Sequence, residues 1–129
     1  MSESEFRFGE KASAISRLMA LAKDCAEQGW DGRAACAIDP EALRNAQAFV
    51  RALPGGFPAP ECAPEPDGSI SLDWIQSRHC LFSVSMGSTL QLPCAWLNRA
   101  AKGHYVASFD GASVPPRILD GIKDIICMK

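Results

Sequence analysis

The chain has 129 residues, of which 47% are hydrophobic and 22% charged, so it is long enough to bury one core and too apolar to be disordered. Its formal net charge is -2, and lysine and arginine form no cluster longer than a pair, which argues against a nucleic-acid partner. It shows neither the apolar segment of a signal peptide nor a membrane span, so we expect a cytoplasmic protein without a membrane partner.

Two amphipathic helices are predicted in the first half of the chain. Apolar residues recur at helical spacing across Phe8–Glu27, and Gly29 is a typical residue after a helix end. Residues 1–8 are polar and acidic, and we expect them to form a disordered tail. Asp39 and Pro40 suit the N-cap and first turn of a second helix, which runs to about Leu53.

An antiparallel sheet is predicted in the second half. Four prolines make Phe57–Pro66 an extended segment, either polyproline-like or an edge strand. Asp67-Gly68 is a turn dipeptide, and the residues after it alternate between apolar and polar. The four predicted strands are Ile70–Gln76, His79–Met86, Leu90–Trp96 and Tyr105–Phe109.

Two further predictions concern positions where the sheet is interrupted. Pro93 predicts that the third strand is an edge strand or contains a bulge, since proline cannot donate to a ladder. Residues 98–103 are expected to form a loop between the third and fourth strands.

A last helix is predicted to begin at residues 113–116, and Gly121 lowers its intrinsic stability by about 1 kcal/mol relative to alanine.

The order of elements predicts an α+β fold in a single domain covering residues 1–129. In it, a four-stranded antiparallel meander forms one layer of a two-layer sandwich. The two N-terminal helices and the C-terminal helix form the second layer.

Six cysteines and two histidines are the residues that could carry catalysis or bind a metal. No two cysteines have the Cys-x-x-Cys spacing, so we expect no metal site, no cofactor and mostly buried thiols. A Cys94–His104 pair across a hairpin is the best candidate for a nucleophile and its base. Nothing in the sequence supplies an orienting carboxylate, so the enzymatic reading is the weaker one.

Three residues are the candidates for binding. Trp30 and Asp31 stand between two glycines in a loop, where the indole either plugs the end of the core or anchors a partner. Trp74 lies on the apolar face of the first predicted strand, and it is either a core residue or a binding residue.

Three motifs in a fixed order carry a resemblance to a known group. They are Gly-Trp-Asp-Gly at 29–32, a Leu-Pro helix end at 53–54, and Pro-Asp-Gly at 66–68 followed by a strand ending in Asp73-Trp74. Over roughly residues 18–126 the chain resembles a group of small, uncharacterised bacterial proteins. The resemblance implies a compact bacterial domain and assigns no catalytic residue.

Two functions follow as hypotheses. The first is a non-enzymatic protein-interaction module, of an accessory, antitoxin-like or immunity-like kind, which binds a protein partner or forms a homodimer through an edge strand. The second is a small enzyme or ligand-binding domain that uses a pocket between the sheet and the helices, with Cys94 and His104 as its reactive pair.

Overall fold

A computed structural model describes residues 3–33 and 35–126, with side chains from residue 11 onward. It contains helices α1 (Glu3–Asp24), α2 (Pro40–Ala52) and α3 (Pro116–Ile126). The strands are β1 (Glu61–Pro64), β2 (Ile70–Ser77), β3 (Cys80–Met86), β4 (Gln91–Asn98) and β5 (Ala101–Ser108). The predicted α+β class is confirmed.

The strands form one antiparallel sheet in the order β1-β2-β3-β4-β5. The sheet has five strands where the sequence analysis predicted four. The additional strand is β1, which lies within the proline-rich segment and pairs with β2 from Glu61 opposite Asp73 to Pro64 opposite Ile70. Of the two conformations expected for that segment, the edge strand is therefore the one formed.

Pro93 does not mark an edge strand, because β4 pairs with β3 on one side and β5 on the other. The register explains how the sheet tolerates it. The β3–β4 ladder stops at Val84 opposite Cys94, so Pro93 has a strand neighbour only on the β5 side, where it faces Val106. Its missing N–H therefore costs no bond to β3.

The loop predicted at residues 98–103 is a tight hairpin instead. Asn98 pairs with Ala101, and only Arg99 and Ala100 lie between the two strands. Arg99 adopts φ 60°, the left-handed conformation that such turns require, and its N–H donates to the His79 carbonyl oxygen at 2.7 Å. β5 is longer than predicted for this reason.

Helix α1 begins at Glu3, where the sequence analysis placed a tail over residues 1–8, and it ends at Asp24, three residues before the predicted end. Residues 1 and 2 lie outside the described part of the chain. No helix of that part is long and apolar enough to cross a bilayer.

The core lies on one face of the sheet. Alternate residues of β2, β3 and β4 are buried there, among them Leu72, Val84 and Leu92. Helices α2 and α3 contribute Phe49 and Ile118 from the facing layer. The residues between them on each strand are half-buried or exposed, so the opposite face of the sheet is open. This arrangement is consistent with the two predicted layers.

Candidate functional site

Strand β5 forms one edge of the sheet and leaves a row of backbone groups unpaired. The Phe109 N–H donates to the Leu90 carbonyl oxygen at 2.8 Å, which sets the alternation along the β4–β5 ladder. Odd-numbered residues of β5 therefore bond to β4, and even-numbered residues from Lys102 to Ser108 direct their N–H and C=O groups outward. No other strand pairs with that side in the described ranges.

The open face of the sheet next to β5 is apolar. Leu81 lies opposite Leu97, and Pro93 lies opposite Val106, so their side chains share this face. We call this region the apolar strip: Leu81, Pro93, Ala95, Leu97 and Val106. Val106 is 60% exposed, the largest exposure among the large apolar side chains described. Lys102 and His104 stand beside the strip on β5.

The part of the open face around Asp73 and Glu65 is polar and internally hydrogen-bonded. The hydroxyl groups of Ser71 and Ser83 donate to the Asp73 carboxylate at 2.6 and 2.7 Å. Ser85 donates to Glu65 at 2.9 Å. These groups satisfy one another, so the surface most in need of a covering partner is the apolar strip.

A cavity of about 450 Å³ lies between α3 and the covered face of β3, β4 and β5. Three aromatic side chains line it: Phe82, Trp96 and Tyr105. The indole of Trp96 lies across Gly103, where an added Cβ atom would approach it to 2.7 Å. Helix α3 supplies Asp120 and Asp124 at the rim.

Arg117 and Tyr105, which both line this cavity, contact each other in two ways. The guanidinium carbon of Arg117 lies 3.7 Å from the centre of the Tyr105 ring, a cation–π contact. The Tyr105 hydroxyl donates to the Arg117 carbonyl oxygen at 3.4 Å. Burial, with the neighbouring Cys94 thiol as a second cause, raises the pKa of Tyr105 to about 12. The phenol therefore stays neutral at physiological pH.

The structure does not bring Cys94 and His104 together. Cys94 faces the core opposite Tyr105, whereas His104 lies opposite Ala95 on the other face of the sheet. Burial raises the pKa of the Cys94 thiol to about 11, the opposite of what a catalytic thiolate needs. The predicted pair fails because the residue opposite Cys94 is Tyr105, one position after His104. Neighbouring residues on a strand point to opposite faces of the sheet.

Trp30 and Asp31 are both engaged within their own loop. The Trp30 indole N–H donates to the Cys36 carbonyl oxygen at 2.7 Å, and the half-buried ring packs against the core. The Asp31 carboxylate accepts the Arg33 N–H at 2.8 Å. Of the two roles predicted for Trp30, these contacts favour the one in which the indole closes the end of the core.

Trp74 is a core residue and offers no surface to a partner. It is 2% exposed, and its indole N–H donates to the Pro58 carbonyl oxygen at 2.9 Å. The structure therefore removes it from the candidate binding residues.

The thiols divide between core and surface. Cys25 and Cys94 are buried, Cys62 and Cys80 are half-buried, and Cys36 is exposed. Cys127 lies outside the described residues. Within residues 3–33 and 35–126, no three His, Cys, Asp or Glu side chains are arranged to hold a metal ion.

The sequence analysis missed the β5 edge and the apolar strip, and it expected a pocket between the sheet and the helices without the residues that line the observed one. The first two depend on which strand ends the sheet, and local pattern carries no such signal.

No family model, curated protein or solved structure matches this chain. The resemblance to the Gly-Trp-Asp-Gly group of bacterial proteins stays a prediction.

Proposed function

We propose that this protein is a non-enzymatic, cytoplasmic interaction module, of the accessory, antitoxin-like or immunity-like kind, and that it binds an extended segment of a partner protein along β5. The observation that carries this proposal is the eight-residue free edge of β5 beside the exposed apolar strip. Strand addition to a sheet edge gains main-chain hydrogen bonds, and neighbouring pockets select the side chains.

The two edges of the sheet differ in a way that favours β5. Strand β1 has four residues, contains Pro64, and packs against α1. Short strands, prolines and covering helices are the usual means by which edges are protected from pairing. Strand β5 is twice as long, contains no proline, and is covered by no strand among the residues that the structure describes.

Charge and polarity indicate the kind of segment that fits. β5 carries Lys102 and His104 and no acidic residue, so an acidic side chain on the partner strand complements it. Next to Val106 the partner needs an apolar side chain that covers the strip. We therefore propose an extended, partly acidic segment with apolar residues on one face.

The test compares Val106→Pro with Val106→Thr. The proline removes an outward N–H and no bond to β4, whereas threonine keeps both the amide and the branched shape. Each variant is immobilised, and proteins retained from a native extract are quantified by mass spectrometry. Equal urea midpoints for the two variants ensure that a difference in retention is not a folding effect.

The proposal is supported if one protein is retained by the wild type and by Val106→Thr but is not retained by Val106→Pro. The purified partner should bind Val106→Pro at least about tenfold more weakly than wild type. Lys102→Glu should weaken the same binding, because it places a like charge opposite an acidic segment. If no retained protein depends on the Val106 amide, the proposal fails.

Light scattering on the same variants distinguishes the partner. A wild-type dimer that Val106→Pro dissociates would make a second copy of this chain the occupant of the edge in place of another protein.

A further inference from the structure

We propose that the cavity between α3 and the sheet binds a small cationic amine that carries an aromatic group. This inference is independent of the β5 edge, because the cavity opens on the covered face of the sheet and the edge groups point outward. It rests first on the shape of the cavity and its aromatic walls, and the charges at the rim then select the ligand.

The cavity lies beside a close contact between α3 and the sheet. At Gly121 an added Cβ atom would lie 2.4 Å from the Phe82 ring, so the helix touches β3 there. Beyond Phe82 the sheet continues to Trp96 and Tyr105, which remain half-buried. The resulting volume of about 450 Å³ lies within the range of small-molecule sites.

The walls suit a planar ligand. Phe82, Trp96 and Tyr105 present aromatic carbon, and Trp96 is held flat across Gly103. The indole N–H groups of Trp30 and Trp74 donate to carbonyl oxygens. The Trp96 N–H has no hydrogen-bond partner among residues 3–33 and 35–126, which leaves it available to a ligand.

The rim favours a positive charge. Asp120 and Asp124 lie one helical turn apart, and neither forms an ion pair within the described part of the chain. Among the described lining residues Arg117 is the one cation, and it is stacked on Tyr105. Two carboxylates and one guanidinium give these residues a net charge of -1, and an ammonium group would relieve the repulsion between the two carboxylates.

The experiment titrates the full chain with three probes of one shape: 2-phenylethylamine, 2-phenylethanol and phenylacetate. The readout is the ¹H–¹⁵N signal of the Trp96 indole, assigned with Trp96→Phe. We expect the amine to shift that signal and to bind at least about fivefold more tightly than the alcohol, with phenylacetate weakest. The Trp30 and Trp74 indole signals should stay in place.

The matched variants are Asp120→Asn with Asp124→Asn, and Asp24→Asn as a control of the same chemistry on α1. The double variant should bind the amine no more tightly than the alcohol, and the control should behave as wild type. All three positions are exposed, so the fold is retained. An unmoved Trp96 signal, equal binding of the three probes, or an amine preference that survives the double variant would overturn the proposal.

Discussion

Gly121 shows how one missing side chain sets the distance between two layers. In an exposed helix, replacing glycine by alanine stabilises by about 1 kcal/mol. Here the new methyl group would lie 2.4 Å from the Phe82 ring, which is 1% exposed and stands between the rings of Trp74 and Tyr105. We expect Gly121→Ala to lower the free energy of unfolding by about 1–2 kcal/mol, measured by urea denaturation.

Gly87→Ala is the control for that substitution. An added Cβ atom at Gly87 meets nothing within 4 Å, and the residue has no positive φ. Its stability should therefore stay equal to wild type or rise by a few tenths of a kcal/mol. A stabilised Gly121→Ala protein would show that α3 does not pack against Phe82 as described.

Helix α2 illustrates what can be predicted at the scale of an element. The Asp39-Pro40 pair predicts its start, and the Asp39 carboxylate indeed accepts the Glu41 N–H at 2.8 Å. We expect Asp39→Ala to lower the free energy of unfolding by about 1 kcal/mol, since a buried stripe that includes Phe49 depends on this helix. Asp39→Asn retains an accepting oxygen, so it should lower the free energy of unfolding by less than half as much.

The strands show where element-scale reasoning stops. Alternation located β2, β3 and β4 closely, because each has one buried face. It placed the start of β5 four residues late, because the Asn98–Ala101 turn contains neither of the usual glycine signals and depends on the left-handed conformation of Arg99. Pro93 was misassigned because its tolerance depends on where the β3 ladder ends.

At the scale of the whole molecule, burial of ionisable groups couples folding to pH. Burial raises the pKa of Cys62 and of Cys94 to about 11. The unfolded chain therefore releases these protons at lower pH than the folded one. The associated stability is complete below about pH 9 and is lost as pH rises toward 11.

We expect the free energy of unfolding to fall by roughly 1 kcal/mol for each buried thiol between about pH 8 and pH 10, measured by urea titration at each pH. Cys94→Ala should reduce the slope of the free energy of unfolding against pH. Val84→Ala creates a core cavity on the neighbouring strand without removing a titrating group, so it should lower stability and keep the slope. A pH-independent wild type would contradict the burial of both thiols.

The amino-acid sequence by itself determined the presence of three helices, the positions of β2, β3 and β4, the start of α2, the Asp67-Gly68 turn between extended segments, and the α+β class. These features depend on side-chain periodicity and on caps that act over a few residues. The tertiary structure alone decided that β5 ends the sheet, that Cys94 and His104 lie on opposite faces, and that Trp96 and α3 enclose a cavity. Each of these follows from register and from contacts between residues far apart in the chain, which local pattern does not encode.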